Sequence, residues 1–209
     1  TPGRRVAVPL SEVFMGRAML LVGAMTRRFT RLRAVVPPGA EDVWTVPQDG
    51  LCLNVFLVLR STRHPDRVLL GRLDPTAPWE ELSALGPDRL ARLAGHWLLP
   101  ASQLLFFESP DDAARRIARE QLETELPSLG VPRIFSEAYS RPAPEGRDPH
   151  WDIHFVYPLP WPGAETVRAK PWKELAFLDA RRIPRPDFGR NHGDILDLLG
   201  PPAPEPRRG

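Results

Sequence analysis

The chain has 209 residues, 42% hydrophobic and 26% charged. This globular balance excludes a wholly disordered, collagenous or coiled-coil protein and fits one domain plus an extension at ~100 to 200 residues per domain. The longest apolar runs, such as Ala18 to Met25 and Val55 to Leu59, fall far short of the ~20 residues of a bilayer-spanning helix, so no membrane partner is expected. A formal charge of +2 with a pI near 9.1 reflects arginine: Lys170 and Lys173 are the only lysines among 28 basic residues. Cys52, the single cysteine, excludes an intramolecular disulfide and a multi-cysteine zinc site, and a reducing cytoplasm is the expected location.

Thr1 is not an initiator methionine, and Met15 is the first candidate start. The apolar stretch from Met19 to Met25 is followed by Arg27 and Arg28 where a signal peptide would carry small residues, so it reads as a core segment. Arg27, Arg28, Arg31 and Arg33 form the one basic cluster. A solvated face is the expected role of so short a run, and nucleic acid is not an expected partner.

Val43 to Val46 and Leu51 to Arg60 are rich in β-branched and aromatic residues, with Gln48-Asp49-Gly50 as a turn between them, which predicts a hairpin. In the second strand Leu51, Leu53, Val55, Leu57 and Leu59 share one face, and Cys52, Phe56 and Val58 the other, which predicts a central strand covered on both sides. Val68 to Arg72 is a short apolar run expected to pair back on it. Residues 74–96 are read as an insertion of two short helices, with Pro78 and Pro87 at first helical positions.

Ser109-Pro110-Asp111-Asp112 is a helix start, with a capping serine, proline at the first position and carboxylates against the positive end of the dipole. The helix is expected to run to about Leu126 and to end at Pro127. Ala114, Ile117, Ala118 and Leu122 form its apolar stripe, and Arg116, Glu120 and Glu123 a polar one. Strands are predicted at Arg133 to Tyr139 and Trp151 to Tyr157, a strand or turn at Trp172 to Leu178, a helix at Asn191 to Leu199, and a disordered proline-rich tail over Gly200 to Gly209.

Leu69-Leu-Gly-Arg72, Trp97, Leu99-Pro100, Glu108-Ser109-Pro110 and Ala113-Ala114 follow one another with the spacing of a known box. With His150 to Tyr157 and Trp172 to Leu175, they make residues 51–199 resemble the Nudix hydrolase superfamily. The resemblance implies an α/β fold, a mixed sheet sandwiched between helices. It divides the chain into an extension over residues 1–50, a Nudix-like domain over 51–199 with the insertion at 74–96, and a tail over 200–209.

Laid on the box G-x5-E-x7-R-E-U-x-E-E-x-G-U, the chain places Ser102 at the first glycine, Glu108 at the first glutamate and Arg116 at the arginine. Ile117 stands for the next glutamate, Glu120 keeps the first of the paired glutamates, Gln121 replaces the second and Glu123 the closing glycine. Phe107 stands where the family has the glycine before the first glutamate. Glu108, Arg116 and Glu120 are therefore the implied catalytic residues. Glu120 and Glu123 are the metal-ligand pair of a reading shifted along the helix. The family's carboxylates hold Mg2+ that bridges a diphosphate and activates water. Isoleucine cannot ligate a metal and glutamine brings no charge, so the expected function is binding of a nucleotide or other phosphate-containing small molecule with weak or no hydrolysis. The alternatives are an active Mg2+-dependent hydrolase of a nucleoside diphosphate derivative, using Glu120 with Glu108 or Glu123, and a protein-interaction module. A homodimer is compatible with each.

His150, Asp152 and His154 alternate on one strand face and are the ligand types of a mononuclear metal site. Lining of a cleft or strand surface is the favoured reading, because three neighbours on one strand rarely enclose a cation. The six tryptophans are expected in packing rather than as a stacking wall for a base. No Gly-rich phosphate loop or nucleophile elbow is present.

Overall fold

The computed structural model describes residues 31–32, 50–139, 150–164, 166–190 and 192–200. Seven strands form one mixed sheet: β1 (Arg31–Leu32), β2 (Leu51–Arg60), β3 (Arg67–Leu73), β4 (Ala101–Gln103), β5 (Arg133–Tyr139), β6 (His150–Pro160) and β7 (Trp172–Asp179). The α-helices among the described residues are α1 (Trp79–Ser83), α2 (Pro87–Leu93), α3 (Pro110–Leu122) and α4 (His192–Leu199). The main path of the sheet is β5-β6-β2-β3-β7.

The alternation in β2 has the consequence expected of it. Val55, Leu57 and Leu59 pack under α3 with Ala114, Ile117, Ala118 and Leu122. Phe56 and Val58 pack on the opposite face with Ile195 and Leu199 of α4. β2 is thus the axis of a three-layer sandwich, and its full-length parallel pairing with β6, from Leu51↔Trp151 to Arg60↔Pro160, is what requires a long crossover through α3.

The other edge of β2 is divided. β1 takes Cys52 and Leu51, β4 takes Asn54, Val55 and Phe56, Leu57 donates its N–H to Pro100 O at 2.9 Å, and β3 meets β2 only at Arg60↔Val68. The expected pairing of residues 68–72 back on β2 is present at its start, where Ser61 N–H also donates to Arg67 O at 3.0 Å, and the other edge of β3 runs with β7, from Arg67↔Asp179 to Leu73↔Trp172. The segment from Leu98 to Gln103 lies between the diverging strands, Leu98 bridging Gly71 of β3 and residues 101–103 pairing with β2. β1 falls within the segment read as an extension, and the Val43 to Val46 strand, the Ala18 to Met25 run, Arg27, Arg28 and Arg33 lie outside the described residues.

Both insertion helices are present, and they differ in one detail. Pro87 is the first residue of α2, whereas Pro78 is the N-cap of α1 rather than its first turn. Trp79, Leu85 and Leu93 make a third cluster with Leu73, Leu98 and Trp172. Trp172 also explains Gly71: a Cβ there would lie 2.3 Å from the indole Cε3, so only glycine lets β3 pass under the ring.

Candidate functional site

α3 begins as its sequence dictates. Ser109 is extended at the N-cap and its hydroxyl accepts the Asp112 N–H at 3.1 Å, with Pro110 first in the helix. The helix ends at Leu122, four residues before the expected Leu126, because Glu123 turns left-handed at φ 51 and its N–H returns to Ala118 O. Phe107, before Glu108, is also left-handed at φ 64 and is 91% exposed. These are two positions where the box has glycine. The backbone keeps the glycine conformation although each side chain adds roughly 1–2 kcal/mol of steric cost.

Nearly two turns into the helix, the Arg116 guanidinium is enclosed rather than solvated, at 6% exposure. Its Nε donates to Glu108 Oε1 at 2.7 Å and its Nη2 to Glu108 Oε2 at 2.9 Å. Nη2 also reaches Gln103 O at 3.0 Å and Nη1 reaches Ser102 Oγ at 3.4 Å. Glu108 Oε2 further accepts Leu105 N–H at 2.8 Å. The pair thus clamps the loop between β4 and α3 onto the helix. Glu120 Oε2 lies 3.8 Å from Arg116 Nη1, so the three residues singled out as catalytic stand together. On the polar stripe Arg116 keeps its i, i+4 contact with Glu120 but is buried, because residues 102–108 form a cage around it.

Glu123 has a left-handed backbone and a partner of its own. Its Oε1 accepts Lys170 N–H at 3.1 Å, on the segment before β7.

The two substituted positions point inward. Ile117 is fully buried and packs with Val55, Leu57 and Leu59. Gln121, 1% exposed, has both ends of its amide occupied by one residue of β4: Oε1 accepts Ala101 N–H at 3.2 Å and Nε2 donates to Ala101 O at 2.9 Å. The Trp172 indole donates to Gln121 O at 2.7 Å, and Ser102 Oγ donates to Leu82 O of α1 at 3.0 Å. Trp79 of α1 stands edge-on to Trp172 with ring centroids 4.8 Å apart. Between these residues, Leu99, Arg190 and His192, about 20 Å3 of free space remains, room for about one water. The insertion therefore covers the segment that carries the box.

Behind this site the Phe56 ring lies edge-on between His154 and His192, at 5.2 and 5.1 Å. His192 Nδ1 accepts Leu99 N–H at 2.8 Å, which places its proton on Nε2. Burial, with Arg190 and His154 adding to it, holds its pKa well below the usual imidazole value. His154 Nε2 is 3.4 Å from Glu137 Oε2 and its Nδ1 is 3.5 Å from Asn54 Nδ2. His154 is thus tied into the sheet interior. The His150 side chain lies outside the described residues, and among those described no three His, Cys, Asp or Glu side chains stand together as a metal-binding set. Sequence spacing gave no signal for Gln121 on Ala101, Ser102 on Leu82 or His192 on Leu99, since each joins residues at least 20 apart.

No family model matches the chain, and no curated protein matches it by sequence. Solved structures do match. A MutT protein from Methanosarcina mazei Go1 superposes with TM-score 0.50 at 13% identity, over 75% of this chain and 96% of the other. A MutT NUDIX hydrolase from Burkholderia pseudomallei gives TM-score 0.46 at 17% identity, over 71% of this chain and 98% of the other. The NUDIX domain of Shewanella oneidensis NrtR, complexed with ADP ribose, gives TM-score 0.46 at 15% identity, over 79% and 92%. The fold of this chain is the Nudix fold, a mixed sheet between helices.

Proposed function

We propose that this Nudix-fold chain binds a nucleotide or another phosphate compound and hydrolyses it weakly or not at all. The observation that carries the reading is the inward turn of Ile117 and Gln121: one is fully buried and the other has its amide occupied twice by Ala101. Hard divalent cations such as Mg2+ take oxygen ligands, mainly carboxylates, in an open and partly hydrated site. Here one box position offers no donor and another only an amide oxygen that already accepts a hydrogen bond. The Glu108 oxygens are engaged by Arg116 and Leu105. The donor set does not fit the Mg2+ that the family resemblance implies. A hydrolase built on Glu120 with Glu123 would first have to release Glu123 from Lys170. The phosphate ligand in this reading comes from the resemblance of residues 97–122 to the Nudix box.

The test is a calorimetric titration with Mg2+, followed by an assay on a panel of nucleoside diphosphate derivatives. Weak Mg2+ binding and turnover far below the ordinary range of about 1 to 10^3 per second are expected. Tight binding of two or more Mg2+ per chain, abolished by Glu120→Gln, would replace this reading with an active hydrolase.

A further inference from the structure

We propose that a phosphorylated small molecule of the nucleotide class binds in the cleft between β7 and residues 166–170, beyond the C-terminal end of α3, where Glu123 at the end of the box meets it. This rests on the reading above that the chain holds a phosphate compound, and it assigns that compound a place. The cleft has a volume of about 890 Å3, within the roughly 300–1,000 Å3 range of small-molecule sites. Arg67, Arg168, Lys170 and Lys173 line it, over a floor that includes Leu175 and Phe177. Both lysines of a chain with 28 basic residues are thus gathered at one concavity.

Positive charge is in excess there, four cations against two carboxylates. None of the four cations forms an ion pair with a carboxylate among the described residues: of the two carboxylates in the lining, Glu174 meets Arg72 at 3.6 Å and Glu123 is held at the cleft by the Lys170 backbone N–H. A second concavity, of about 630 Å3, shows the opposite arrangement. Its Arg181 meets Asp66 and its Arg185 meets Asp194 and Asp197. Like charges focused in a cleft raise the local concentration of anions. Lysine supplies a rotatable point charge with three donors and arginine a planar fork, both suited to phosphate oxygens. Phe177, edge-on to Trp161 at 6.2 Å, offers an aromatic surface for the apolar part of the ligand. The two features together select a phosphorylated molecule with a flat or apolar moiety over a bare anion.

Protein labelled with 13C and 15N only in lysine reports this cleft directly, since Lys170 and Lys173 are its only lysines. ADP, inorganic pyrophosphate and adenosine serve as probes. Both lysine side-chain signals are expected to shift saturably with ADP, less with pyrophosphate and not with adenosine. Lys170→Gln with Lys173→Gln is expected to weaken ADP binding by about 10- to 100-fold, the loss of one or two charge-assisted hydrogen bonds, with the thermal midpoint nearly unchanged because both side chains are exposed. ADP binding seen by calorimetry while the lysine signals stay still, or undiminished in the double variant, would overturn the assignment and leave the phosphate-binding reading in place. Absence of binding by ADP and by the wider panel of phosphate compounds at millimolar concentration would overturn both.

Discussion

Arg116 and Glu108 form a two-pronged ion pair with side chains only 7% and 11% exposed, and through it the loop after β4 is fastened to the box helix. Its role here is structural, since it joins two segments of the chain. Removing one member leaves a buried charge without its partner, which costs roughly 3–5 kcal/mol. Arg116→Met and Glu108→Gln are each expected to destabilise the chain by about that much. The double variant should cost clearly less than the sum, as denaturant unfolding of all three proteins would reveal. Additive losses would mean the two side chains do not act as a unit.

Acids at positions 117 and 121 would carry a structural cost. Ile117→Glu places a carboxylate where exposure is 0%, and Gln121→Glu turns an oxygen toward Ala101 O, which now receives a hydrogen bond at 2.9 Å. The double variant is expected to lose more than about 3 kcal/mol and to regain part of it in millimolar Mg2+, read as a metal-dependent shift in unfolding midpoint. A folded variant with no gain in Mg2+ affinity would show that Glu108, Arg116 and Glu120 are not aligned with the family's box.

Gly71 passes beneath the Trp172 ring with no room for a Cβ. Gly71→Ala should therefore destabilise by about 1–3 kcal/mol through overpacking, and Trp172→Leu in the same chain should relieve part of that loss. An alanine tolerated without loss in thermal unfolding would place the indole elsewhere.

Stability should fall in acid through His192. Its folded pKa lies well below the unfolded value of about 6.5, so the unfolded chain binds the proton first. The contribution is complete above the unfolded pKa and declines as pH drops toward the folded one, by up to about 1.4 kcal/mol per pH unit. His192→Asn can present an oxygen to Leu99 N–H without titrating. Its unfolding free energy should be flatter than the parent's between pH 6.5 and 5, a range set by that unfolded pKa of about 6.5; identical slopes would remove His192 as the source.

Local chemistry was readable in the chain itself. The alternation of Leu51 to Leu59 announced a strand covered on both faces, Ser109-Pro110 announced the start of α3, and Pro87 that of α2, because period, capping and proline geometry act within a few residues. The order of motifs around Trp97 to Leu122 was enough to anticipate the sheet sandwiched between helices. The end of α3 was not readable, since Glu123 is no glycine and only the surrounding fold holds it left-handed. Nor was the environment of the box. Whether Arg116 was a solvated ion-pair partner or a buried clamp, whether Gln121 was an idle ligand position or a bracket on Ala101, and whether the insertion stood clear of the box or closed over it with Trp79 depended on contacts between segments 8 to 93 residues apart. Such contacts leave no periodic or local mark. They are decided only when β4, α1, α3 and Trp172 compete for the same space and the same backbone donors.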